Sequence, residues 1–116
     1  MTKDSVQAIV DRSSCCIDGV TYVFHLRWVA VEKYCDPGLS RQLLRVEVVA
    51  SGEAGSAPAT LNLLVWISQP SELPTILADA LQLHLVERAL EAKGVAQRMP
   101  MVSELGWQRA TGALDS

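Results

Sequence analysis

Apolar and polar residues alternate along residues 19–34, which read Gly19-Val20-Thr21-Tyr22-Val23-Phe24-His25-Leu26-Arg27-Trp28-Val29-Ala30-Val31-Glu32-Lys33-Tyr34. Tyr22, Phe24, Leu26, Trp28 and Ala30 fall on one side, and His25, Arg27 and Lys33 on the other. A period of two is strand geometry, because successive side chains of an extended chain point to opposite faces. The stretch holds four of the chain's six aromatic residues and many β-branched ones, which pack well on a pleated surface. Two more runs share the period. Residues 42–50 set Leu44, Val46, Val48 and Ala50 against Arg45 and Glu47, and residues 60–67 line up Leu61, Leu63, Val65 and Ile67.

Turn chemistry joins these runs. Asp18-Gly19 tolerates positive φ at both positions, so a short strand over 14–17 pairs back onto the long one. Pro37-Gly38 has the order of a type II turn, with Pro presetting φ and Gly supplying the positive φ that follows. Residues 51–58 form a loop of small residues. Connections this short predict an antiparallel meander.

The period lengthens at both ends of the chain. Asp4 with Gln7 three positions on has the order of a helix cap, and Val6, Ile9 and Val10 follow at helical spacing, which predicts a short helix over 4–12. After Gln69-Pro70 a long helix is expected, with Ser71 as its N-cap, Glu72 and Pro74 in its first turn, and Gly94 as its stop. At 100° per residue Leu73, Ile76, Leu77, Ala80 and Leu83 form one stripe, with Leu90 at its edge. Leu81, Leu85 and Val86 lie off the stripe, so this helix must touch more than one surface. The tail from Val95 has Met101, Val102, Leu105 and Trp107 as anchors, either as a short helix after Ser103 or extended over the domain. The fold class is therefore α+β: an antiparallel meander of three to four strands, one long helix on one face, and a short N-terminal helix. Residues 1–116 form a single domain with its core within about 5–94.

Length and composition narrow the function. The chain has 116 residues, 49% hydrophobic and 20% charged, which is globular composition for one domain. No apolar run approaches the roughly 18 residues of a bilayer span, and residues 1–5 lack the basic-then-apolar order of a leader, so a cytoplasmic protein without membrane contact is expected. A net charge of -3 and a lack of dense Lys/Arg runs argue against nucleic acid as a partner. Cys15, Cys16 and Cys35 are odd in number, and two are adjacent; that spacing matches neither a disulfide framework nor a zinc knuckle. No phosphate loop, dinucleotide fingerprint or hydrolase elbow is present, and no cofactor or metal is expected.

Two places carry candidate chemistry. His84 and Glu87 sit three apart on the long helix, where a carboxylate can orient an imidazole for acid–base work or ligand binding. The structural alternative is a pair at the core's rim that satisfies its own hydrogen bonds. The second place is the sheet face turned away from the long helix. One register sets Arg27 opposite Glu47, and another sets Arg45 opposite Trp66 as a cation–π contact. Val23, His25, Val29, Val31, Leu43, Val49, Asn62 and Leu64 stand around them. A solvated face alternates to polar residues, whereas this one is about half apolar. Its cover is the N-terminal helix, the C-terminal tail or another subunit.

The order helix, antiparallel strands, helix is similar in layout to double-stranded-RNA-binding domains and to the small acidic chaperones of bacterial type III secretion. The first pattern wants a basic start to the last helix, where this chain has Ser71-Glu72-Leu73-Pro74-Thr75. The second has further strands after its second helix, for which the tail leaves little room. No family is assigned on layout alone. The leading reading is a non-enzymatic protein-interaction module, as a homodimer, acting through Arg27, Arg45, Glu47, Leu64 and Trp66. The rival is a small-molecule site or minor enzyme near His84 and Glu87. Neither a duplex nor a single-stranded probe is expected to shift with low-micromolar protein at physiological salt, and a salt-sensitive shift would contradict the acidic reading.

Overall fold

The computed structural model describes residues 2–36, 41–53, 57–94 and 107–109, with backbone alone at 33–36 and 108–109. Helix α1 spans Lys3–Asp11 and is followed by β1 (Ser14–Ile17), β2 (Val20–Asp36), β3 (Arg41–Ser51) and β4 (Ala59–Ile67). A 3-10 turn at Pro70–Glu72 leads into α2 (Leu73–Ala92), and β5 (Trp107–Arg109) comes last. The strands lie in sequence order, β1-β2-β3-β4-β5, and every neighbouring pair is antiparallel. This is the expected α+β meander with one strand more. Among the described residues, no helix is long and apolar enough to cross a membrane.

The β1–β2 hairpin turns at Asp18 and Gly19, with φ of 52° and 80°. Both values lie in the left-handed region that a two-residue hairpin demands. Helix α1 is capped earlier than Asp4: the Ser5 N–H donates to Thr2 Oγ1 at 3.2 Å, and the Thr2 N–H donates to Ser5 Oγ at 3.0 Å. Two orphan donors of the first turn are thereby satisfied at once. Gln7 reaches down the helix instead and donates to Asp11 Oδ1 at 2.9 Å. Ser71 does not cap α2. Glu72 holds the N-cap position instead, without a side-chain cap bond to α2; its carboxylate accepts from the backbone N–H groups of Ser68 at 2.7 Å and Gln69 at 2.8 Å, closing the 3-10 turn before the helix. Gly94, with φ of 78°, follows the end of α2 as expected.

Leu44, Val46, Val48 and Ala50 of β3 and Leu61, Leu63, Val65 and Ile67 of β4 form a buried layer. Val6 and Val10 of α1 and Leu73, Ile76, Leu77, Ala80 and Leu81 of α2 join the same cluster. Both helices therefore sit on one side of the sheet. Leu81, outside the expected stripe, is fully buried because α2 contacts α1 and β1 as well as β4. Past Leu81 the helix climbs away from the core: Leu83 and Leu85 are half-buried, and Val86 is exposed.

Strand β2 departs from simple alternation. Up to Leu26 it pairs with β3 as Phe24↔Ala50 and Leu26↔Val48, but then as Trp28↔Glu47, Val29↔Val46 and Val31↔Leu44. One extra residue is inserted at Arg27, a β-bulge, and the side chains from Trp28 to Val31 change face; a second register shift follows between Val31 and Cys35. Val29 and Val31 turn to the core, packing against it half-buried. Trp28 and Ala30, expected there, turn outward. Two valines opposite Val46 and Leu44 fill a tight layer that an indole would overpack.

The tail contributes β5, which pairs with Leu63–Val65 of β4. A helix after Ser103 falls outside the described residues. Trp107 is buried, and its indole Nε1 donates to Asp79 Oδ2 of α2 at 2.7 Å. A strand after the second helix, for which little room was expected, is thus present.

If this bond and burial lock the tail in place, Trp107→Ala costs about 3–5 kcal/mol, and Leu77→Ala, at the centre of the helix–sheet layer, about 2–5 kcal/mol. Urea denaturation of each variant checks both values. A Trp107→Ala midpoint equal to the parent's would mean that β5 adds nothing to the core.

Candidate functional site

The sheet face opposite the helices gathers the residues that the sequence pattern pointed to, with a changed set of partners. The bulge at Arg27 leaves Arg27 and Trp28 together opposite Glu47, and Arg27 Nε lies 3.5 Å from Glu47 Oε2. The expected pair therefore forms, as a bulge contact. Arg45 does not face Trp66. It stands opposite Ala30 on β2 and Leu64 on β4, and its Nε lies 3.4 Å from Glu32 Oε1. Trp66 pairs with Leu43, and the cation over its ring is Arg41, whose Cζ lies 5.8 Å from the centroid. The expected register between β3 and β4 was off by two residues, which preserves the face and exchanges one arginine for another.

Arg41, Glu32 and Trp28 thus belong to this face and were not singled out from the sequence. Arg41 begins β3 one residue before the anticipated strand start. Glu32 and Trp28 reach the face only through the bulge. The same slip removes Val29 and Val31, which were expected here.

Charges alternate along the β2–β3 seam. Arg27 with Glu47 and then Arg45 with Glu32 make two cross-strand pairs, their side chains 30–60% exposed. At that exposure each pair contributes at most a few tenths of a kcal/mol, so the pattern orders the surface more than it stabilises the fold. Leu43, Val49 and Leu64 are half-buried among the charges, and Trp28 and Val23 are 46% and 44% exposed. Nε of Arg41 and of Arg45 and Oδ1 of Asn62 are buried without a hydrogen bond. For Arg45 the Glu32 contact is an ion pair whose geometry falls short of a hydrogen bond. Helix α1, a candidate cover, lies with Val6 and Val10 in the main core instead.

His84 is elsewhere. It lines a cleft of about 200 Å³ between α2 and β4, with Thr60, Leu61, Asn62, Leu63, Ala80 and Trp107 as the other walls. Four consecutive residues of a strand line one cleft only by way of its main-chain edge, because their side chains alternate. Glu87, one turn further along α2, is not among the walls. Among the described residues no group of three His, Cys, Asp or Glu side chains could hold a metal ion. Comparison of the chain with family models, with curated proteins and with solved structures finds no match in any of the three.

The adjacent thiols of β1 point to opposite faces. Cys15 is half-buried against the core and Cys16 is exposed. Burial, and secondarily the neighbouring Cys16, pushes the Cys15 thiol above its ordinary pKa. The thiolate is the nucleophile, so Cys15 reacts slowly at neutral pH. A thiol reagent such as iodoacetamide at pH 8 is expected to label Cys16 well before Cys15 in the folded chain, and peptide mapping reads the order. Equal rates would contradict the burial of Cys15.

Proposed function

We propose that the chain is a protein-interaction module without catalytic activity, working in the cytoplasm through the second face of its sheet, as a homodimer or on another protein. The observation that carries this reading is the exposed indole of Trp28 on the same face as half-buried Leu43, Val49 and Leu64, a face whose charges are already paired with one another. Trp and Arg are among the residue types most enriched at binding hot spots, and Trp removes a large area from water at small entropic cost. Arg41 stacked on Trp66 adds a planar, charged fork next to an aromatic surface. The free thiols of Cys15 and Cys16 suit a reducing compartment.

A second reading rests on the His84 cleft. His84 sets an imidazole beside the main-chain edge of residues 60–63, with Ala80 and Trp107 as apolar walls. That is the composition of a small-molecule site, although its volume lies below the usual 300–1,000 Å³. The partner expected for His84 in acid–base work, Glu87, lies outside it.

Trp66→Ala separates a docking residue from a structural one. On the docking reading it weakens association and costs about 1 kcal/mol of stability, the loss of a partly exposed ring and its cation contact. A loss of about 3–5 kcal/mol with association unchanged would make Trp66 part of the chain's own core and end this reading. Sedimentation velocity and thermal unfolding of the one variant give both numbers.

A further inference from the structure

Away from the sheet's second face, a cleft of about 530 Å³ lies where the end of α1 and the start of β1 meet the 3-10 turn that leads into α2. That volume falls within the roughly 300–1,000 Å³ of small-molecule sites, as the His84 cleft does not. One wall is the end of α1, and it is tied down bond by bond. The Arg12 N–H donates to Ile9 O at 3.2 Å and the Ser13 N–H to Val10 O at 3.0 Å. Ser13, only 6% exposed, also donates from Oγ to Ile9 O at 2.7 Å. The Arg12 side chain folds back in the same way, and its Nε donates to Ala8 O at 3.1 Å. Capping α1 therefore engages Nε alone. The two terminal amino groups of the guanidinium have no partner among the described residues.

The facing wall is Pro70, Ser71 and Pro74. Two proline rings give a rigid apolar surface with almost no rotamer freedom to lose. The Ser71 hydroxyl reaches Gln69 Oε1 only at 3.5 Å, so it can turn to a ligand at little cost. The first turn of α2 adds little of its own, because Pro74 has no N–H and that of Leu73 goes to Pro70 O. Arg12 is the one charged residue among the described walls. The acids next to these walls in sequence are engaged elsewhere. Asp11 Oδ1 accepts from Gln7, and the Glu72 carboxylate closes the 3-10 turn. In a chain of net charge -3 the cleft is a local cationic spot.

From these walls we infer a binding site for a small organic oxyanion, a carboxylate or a phosphate monoester. Its charged end lies on the Arg12 fork and its apolar body on Ile9, Pro70 and Pro74. A guanidinium presents parallel N–H groups that match two oxygens of either anion. Because Nε is already held, less side-chain freedom is lost when the ligand arrives. The site is independent of the docking reading of the sheet. One fork and one apolar wall set a dissociation constant of about 1 mM for a ligand of about ten heavy atoms.

The test is a heteronuclear NMR titration of the isotope-labelled full chain at low salt. Phenyl phosphate and benzoate are the probes, and inorganic phosphate and phenol each lack one half of the ligand. At least one aromatic anion is expected to shift the amide signals of Arg12, Ser13 and Ser71 saturably, and the one that saturates first tells phosphate from carboxylate. Inorganic phosphate is expected to bind more weakly than phenyl phosphate, and phenol not at all at the same concentration. Arg12→Gln, and Ser71→Glu on the facing wall, are each expected to weaken binding about tenfold. Arg12→Lys, which keeps the charge but not the fork, is expected to weaken it about threefold. Both positions are exposed, so circular dichroism and melting are expected to match the parent's. Should Arg12→Gln lose the fold, Ser71→Glu decides alone. No saturable shift with either aromatic anion overturns the site, as do shifts centred elsewhere or an affinity that Arg12→Gln and Ser71→Glu leave unchanged. Inorganic phosphate bound as tightly as phenyl phosphate, or phenol bound as tightly as the anions, overturns the two-part ligand.

Discussion

The two-residue period of an extended chain is the constraint on which this structure turns. In β3 and β4 it runs without interruption, and buried positions alternate with more exposed ones from Leu44 to Ala50 and from Ala59 to Ile67. In β2 an inserted residue at Arg27 breaks it, and a second register shift follows between Val31 and Cys35. Slipping by one reverses the side chains that follow as far as Val31, so the core receives Val29 and Val31, and the opposite face receives Trp28 and Ala30. The core layer and the candidate interface are therefore two results of the same irregularity. Neither can be changed without the other.

The helices follow from the layer that the strands build. Leu44, Val46, Leu63 and Val65 offer a continuous apolar surface, and α2 covers it with Leu73, Ile76, Leu77 and Ala80. Because α1 lies against α2 as well as β2, Leu81 has a surface to meet that a single-stripe reading does not provide. The cost of so much local burial is a polar face left to the other side of the sheet, where charges pair across strands but an indole stays in water.

Much of this was legible in the chain. Uninterrupted alternation located β3 and β4 and their core residues, Asp18-Gly19 located the first hairpin, and Gly94 located the end of α2. Three features were hidden, each for a physical reason. A bulge leaves no mark in a binary pattern, because Arg27-Trp28 reads as ordinary alternation until the demands of the neighbouring strand are known. Register across a loop is set by packing, so Arg45 could not be told from Arg41 as the cation over Trp66. Strand β5 is three residues long, too short for any period, and its place is set by the bond from Trp107 to Asp79 across 28 residues of chain. For the candidate site the gain was similar: Arg27, Arg45, Glu47, Leu64 and Trp66 do share one face, but Trp28, Glu32 and Arg41 had to be added.

That last bond bears on how the chain is made. Residues 107–109 emerge from the ribosome after everything else in the sheet, and their partner strand β4 carries Leu61, Leu63, Leu64 and Val65 in near succession. Until Trp107 reaches Asp79, the growing chain holds an apolar strand with bare amide and carbonyl groups along its outer side, a template for pairing with a neighbour. The late tryptophan closes that edge by anchoring a short strand to a helix already in place. Chains truncated before residue 107 would be exposed to the association that the finished sheet avoids at this edge.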